Sequence, residues 1–76
     1  SVDDTLKAQG LLMTLTQAEL IALQSIAAGE SSRDLALRLE TDIFSALNIR
    51  KSMKMKLGAE LDADAVRVAI YAGLCD

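Results

Sequence analysis

Residues 15–57 read LTQAELIALQSIAAGESSRDLALRLETDIFSALNIRKSMKMKL, and the punctuation of this stretch decides the fold. Three segments with helical spacing of apolar residues are separated by two tight breaks, Gly29-Glu30-Ser31-Ser32 and Glu40-Thr41-Asp42. Thr16, with Glu19 three residues on, has the spacing of a capping box and starts a helix that runs to about Ala28. Its Leu20, Ala22, Leu23, Ile26 and Ala27 recur as one buried face. Gly29 can take the left-handed conformation that ends a helix. Ser31 or Ser32 caps a second helix over 33–39, with Leu35, Ala36 and Leu39 inward, and the small Ala36 admits a close helix crossing. Asp42 caps a third helix over 43–56. There Ala46, Ile49, Met53 and Leu57 stand at i, i+3, i+7 and i+11 on one face, with Leu47, Asn48, Lys51, Lys54 and Met55 opposite. Gly58 ends it.

Downstream, Asp62 is the expected cap of a fourth helix over 63–72, with Val66, Ala69, Ile70 and Tyr71 as its apolar stripe and Gly73 as its stop. Upstream, Ser1 to Gly10 is polar, carries Asp3 and Asp4, and reads as a linker or frayed end, with Leu11, Leu12 and Met13 tucked onto the domain. The expectation is an all-α domain of four helices over 15–76, preceded by a linker or N-terminal extension over 1–14. A chain of 76 residues makes one small domain that buries only about 60% of the surface its unfolded form exposes. With no proline and only Phe44 and Tyr71 aromatic, the core must come from Leu, Ile, Val, Ala and Met. The start at Ser1 fits a piece of a longer protein. No apolar run approaches the roughly 18 residues of a membrane span, and no secretory leader is visible, so a cytoplasmic location and no membrane partner are expected.

The chain has no His, and Cys75 is its single cysteine, with no Cys or His beside it. A Cys/His zinc site and Ser-His or Cys-His catalysis are excluded. With no Gly-rich phosphate loop either, the sequence offers no catalytic residue, metal or cofactor, and an enzyme is not expected. The net charge of −3 argues against nucleic acid, but its distribution argues back. Between Arg33 and Lys56 six basic side chains stand against three acidic ones, while the remainder holds two basic against eight acidic. A local basic patch matters more for phosphate binding than the total does.

Helix, short turn, helix, short turn, longer helix is the layout of a helix-turn-helix, which lays its last helix in the DNA major groove. Leu15-Thr16, Glu19, Leu23, Ile26-Ala27, Gly29, Ser31, Leu35-Ala36, Leu39, Lys56-Leu57-Gly58, Val66, Ala69 and Gly73-Leu74 together resemble the LuxR/FixJ-type (GerE-like) DNA-binding domain of bacterial transcription regulators. The likeness runs without a gap from Leu15 to Cys75. The fourth region of sigma factors shares the middle of the pattern but not usually the last helix with its Gly-Leu end. The resemblance implies four helices, the second and third forming the helix-turn-helix and the fourth pairing two copies on DNA. It also implies a receiver, ligand-binding or light-sensing domain N-terminal to this one. By position it makes Leu47, Asn48 and Lys51 the base-reading residues, and Ser32, Arg33, Ser45, Arg50 and Lys54 the phosphate contacts. Val66, Val68, Ala69 and Tyr71 become the dimer candidates.

The chain departs from that family where DNA is read. Glu40 and Thr41 stand where Gly and an aliphatic residue are common. Phe44, Ser45, Ala46 and Leu47 replace a polar residue, Thr-Val and Lys at the start of the reading helix, and Ile49 replaces a His. Two functions therefore stand side by side. One is a DNA-binding effector domain: Asn48 can pair with adenine, Lys51 can donate to guanine, and Leu47 can touch a thymine methyl. The other is a protein-interaction module on a degenerate helix-turn-helix, its contact spot at Phe44 and Leu47, one turn apart on the third helix. Against this second expectation stands the chance that Phe44 folds back to fill the thin core.

Overall fold

The computed structural model describes residues 1–75 and is all-helical, with five helices and no strand among the described residues. The helices are α1 (Val2–Leu12), α2 (Gln17–Ala27), α3 (Ser32–Arg38), α4 (Ile43–Leu57) and α5 (Asp62–Tyr71). The last four lie where the sequence pattern puts them, within a residue or so at each end. The first corrects the reading of 1–14 as a linker. Ser1 caps it by accepting from the Asp4 amide, Asp3 and Asp4 sit in its first turn where the helix dipole favours them, and Ala8 is buried. α1 packs chiefly on α5.

The caps follow the sequence closely. In α2 the Thr16 hydroxyl accepts from the Glu19 amide at 3.1 Å while the Glu19 carboxylate accepts from the Thr16 amide at 2.7 Å. Ser31 and Asp34 repeat the box on α3, at 3.1 and 2.9 Å. Asp42 caps α4 by accepting from the Ser45 amide at 2.8 Å. The expectation for Asp62 fails: Leu61 holds the cap position, its amide donates to Asp64, and Asp62 lies in the first turn of α5.

Four helix ends close the same way, with an amide reaching back five residues: Glu30 to Ser25, Thr41 to Ala36, Ala59 to Lys54 and Leu74 to Ala69. The residue before each of these amides has a positive φ. Three of the four are glycines; the fourth is Glu40, at φ 52°. A side chain in that region costs roughly 1–2 kcal/mol. This is the turn that joins α3 to α4.

α4 is the hub, touching all four other helices, and α2 touches α3, α4 and α5. The core joins Ala22, Leu23 and Ile26 of α2, Leu35 and Ala36 of α3, Ala46, Met53 and Leu57 of α4, and Ala65 and Ala69 of α5. Alanines at five of these ten positions let the helices cross closely, which is how a core without aromatics fills its space. Ile49 packs on its edge. Neither aromatic is inside: Phe44 is 74% exposed, so it does not fold back onto the core, and Tyr71 is half-exposed.

Candidate nucleic-acid interface

α4 offers three faces. Ala46, Met53 and Leu57 are buried and Ile49 half-buried against the other helices, the stripe expected inward. At 100° per residue, Phe44, Leu47, Asn48, Lys51 and Met55 form the opposite stripe, and all five are exposed. Between these stripes lie two flanks, each held by one acid from another helix.

One flank is tied to α2. Glu19, 5% exposed at its side chain, receives the Lys56 ammonium on Oε1 at 2.6 Å and the Ser52 hydroxyl on Oε2 at 2.6 Å. Burial pushes the Glu19 carboxyl up, but the bonds from Lys56, Ser52 and Thr16 more than reverse this and hold it at about 2. Lys56 is therefore structural.

The other flank is tied to α3 and α5. Arg50 donates through Nη2 to Asp62 Oδ2 at 2.7 Å and through Nη1 to the Ser32 hydroxyl oxygen. Lys54 donates to Asp62 Oδ1 at 3.0 Å. The bond from Lys54 is the main reason the Asp62 carboxyl lies below its ordinary range, with the Arg50 charge adding to it. A third pair lies nearby: Arg38 donates to Glu30 at 2.7 Å, and Glu30 also accepts from Ser25.

The structure thus sorts the candidate residues. Leu47, Asn48 and Lys51 come together on the outward stripe of α4. Arg50 and Lys54 come together on Asp62, and Ser32 joins them through Arg50. Ser45 is half-buried and its hydroxyl donates to Asp42 at 2.9 Å, so it serves the helix cap. Arg33 is exposed at the start of α3, and like Lys51 it enters no ion pair among the described residues. On α5, Ala69 is fully buried in the core and corrects its assignment to a free dimer face, because no atom of it reaches the surface. Val66 and Val68 are half-buried, while Ile70 and Tyr71 are exposed. Val68 and Tyr71 line an open groove with Gly58 and Arg67.

Sequence reasoning found the capping role of Glu19 but not its bonds to α4, nor the roles of Glu30, Ser52 and Asp62. One signal was present for Asp62. Arg50 and Lys54 are four apart on one side of a helix, Gly58 reverses the chain, and an acid opens the next helix.

The chain matches no protein-family model, no curated protein and no solved structure. No helix is long and apolar enough to cross a membrane, and no group of His, Cys, Asp and Glu able to hold a metal ion occurs, among the described residues.

Proposed function

We propose that this chain is the DNA-binding part of a bacterial transcription regulator and lays α4 in the major groove of double-stranded DNA. The observation that carries the reading is the outward stripe of α4. The inner stripe of the helix is consumed by the core, and the opposite one presents Asn48 and Lys51 to solvent; neither Lys51 nor the exposed Arg33 of α3 enters an ion pair among the described residues. Asn48 has the donor–acceptor pair that reads adenine, and Lys51 the donor that reads guanine, with Leu47 available to a thymine methyl. The LuxR/FixJ-like pattern supports the same reading. So does Glu40, which takes a left-handed conformation at the position where that family commonly keeps glycine.

In this proposal two copies pair through α5, chiefly by Ile70 and Tyr71, with Val66 and Val68 at the margin. A sensory domain elsewhere in the polypeptide controls them, and the protein works in the bacterial cytoplasm. The test is a titration of isotope-labelled protein with a random-sequence duplex at low salt. Amide shifts confined to Ser32–Arg33 and Ser45–Lys56, fading as salt rises, are expected. An absence of shifts at low salt overturns the reading. Once an operator is known, Lys51→Ala weakens specific binding by about 1–3 kcal/mol. An unchanged affinity removes Lys51 from base reading.

A second reading has its own observation. Phe44, Leu47 and Met55 are exposed on the same stripe, and Arg50, Lys54 and Lys56 are already ion-paired within this chain, Arg50 and Lys54 to the single carboxylate of Asp62 and Lys56 to Glu19. Such a surface suits a protein-docking module that has kept the helix-turn-helix and lost DNA. A silent titration with duplex, followed by a partner complex that Phe44→Asp abolishes, would establish it. A partner complex that survives Phe44→Asp would sink it.

A further inference from the structure

The cluster around Asp62 has the composition of a phosphate site with a carboxylate already in it. Each oxygen of Asp62 is taken by a different cation, Oδ2 by Arg50 at 2.7 Å and Oδ1 by Lys54 at 3.0 Å. Arg50 is fixed by a second bond to Ser32, which accepts through its oxygen and so keeps its own proton to donate. Arg50 is only 16% exposed at its side chain, whereas Asp62 is 48% exposed. The cationic wall is thus set into the surface and the acid is the outer, replaceable member. A planar guanidinium and an ammonium converge on the Asp62 carboxylate, with the Ser32 hydroxyl on the other Nη of the same guanidinium, and these are the donors that hold a phosphate oxyanion. Asp62 is not needed to start α5, because Asp64 supplies the carboxylate that receives the Leu61 amide.

We propose that Ser32, Arg50 and Lys54 form a binding site for a phosphate group, and that Asp62 occupies it in the free chain as an internal competitor that a backbone phosphate of DNA must displace. The proposal rests on the DNA-binding reading for the source of the phosphate. It gives a role to an acid set between two of the phosphate contacts, where its charge offsets one of their two: the exchange sets a threshold, so weak encounters with nucleic acid leave the clasp shut. An exposed ion pair contributes only about 0–1 kcal/mol and is cheaply exchanged.

The experiment measures binding of the full chain to a fluorescent random-sequence duplex across a range of salt. It compares the unaltered protein, Asp62→Asn and Glu60→Gln. Glu60 is an exposed acid close by that enters no ion pair, so its variant removes the same charge without opening the clasp. Asp62→Asn is expected to bind on the order of tenfold more tightly, as one or two freed phosphate contacts provide, with the log affinity–log salt slope steeper by about 1–2. Glu60→Gln is expected to change both little. Equal affinity and slope for Asp62→Asn and the unaltered protein overturn the inference and leave the DNA reading standing. An equal gain in Glu60→Gln also overturns it, since bulk charge then accounts for the effect. In a second arm inorganic phosphate is titrated into Asp62→Asn and the Arg50 side-chain N–H signals are followed. If no protein binds duplex but Arg50 responds to phosphate, the DNA reading fails and the site is one for a free phosphate. If neither occurs, both ideas fall.

Discussion

Glu19 and Asp62 stand on opposite flanks of α4 and each collects two donors from it, yet the first side chain is 5% exposed and the second 48%. Glu19 takes Ser52 and Lys56; Asp62 takes Arg50 and Lys54. The chemistry is nearly the same and the consequence is not. A carboxylate cut off from water has no substitute partner, so its bonds lock α4 to α2. One at the surface can be replaced by any anion that arrives, so its bonds can regulate what α4 meets. Solvent access, and not charge count, separates a structural acid from an exchangeable one.

The sharpest way to break that distinction is to remove each acid in turn. Glu19→Ala leaves Lys56 and Ser52 without their partner and opens the capping box of α2. A loss of about 3–5 kcal/mol of unfolding free energy is expected, read by urea denaturation. A loss below about 1 kcal/mol would put Glu19 in the same class as Asp62.

Acid gives a second measure of the same group. Glu19 titrates at about 2 in the folded chain against an ordinary 4.5, so folding favours its charged form. Its contribution is therefore complete above about pH 4.5 and is lost as pH falls towards 2. Asp62 is also lowered, but it is half-exposed and contributes less over that window. Thermal melts from pH 7 down to pH 2 are expected to fall steeply for the unaltered protein and less steeply for Glu19→Gln. Parallel curves would show that Glu19 does not govern the acid limb. The two lysines sharpen the contrast further, being two residues apart. Lys56→Met leaves a buried carboxylate with one donor fewer and is expected to cost about 2 kcal/mol. Lys54→Met is expected to cost less than about 1 kcal/mol. Equal losses in the two would mean that position along α4, and not burial of the acid, sets the value.

How much of this was legible in the sequence depends on whether the signal is local. Thr16 with Glu19, Ser31 as one of two candidate caps, Asp42, Gly29 and Gly58 act within a few residues, and each does in the structure what its place implies. The inward stripe of α4 needs only the 3.6-residue period. α1 was missed because its polar first turn, with Asp3 and Asp4, reads as a frayed end, and its cap is a terminal serine. Asp62 was misread because its partners lie 8 and 12 residues away, on a helix whose orientation is known only once the Gly58 turn is built. The same holds for Glu19, whose capping role is local while its bonds to Ser52 and Lys56 span 33 and 37 residues. Glu40 lies between these cases: its departure from a glycine pattern was visible, its strain was not. Both flanks depend on the entry of α4 that this turn sets. Glu40→Gly relieves the left-handed side chain at some cost in unfolded-chain entropy, and a net gain of about 0.5–1 kcal/mol is expected. A loss on calorimetry would mean that the Glu40 side chain makes a contribution larger than its strain.

The smallest expected effect is the most telling for the comparison. Asp62→Ala removes two ion pairs at once, which on a count of contacts should rival the loss of Glu19. Yet Asp62 is itself half-exposed, the cations it releases keep an edge in water at 16% and 26% exposure, and the interaction lost at such a surface acid is worth about 0–1 kcal/mol. The α5 cap through Asp64 stays in place. The melting midpoint at neutral pH is therefore expected to move by no more than a few degrees, about what 0.5 kcal/mol produces in a domain of this length. A fall as large as that of Glu19→Ala would show that the clasp holds α5 onto α3 and α4. Asp62 would then be part of the fold and could not yield its place to a phosphate.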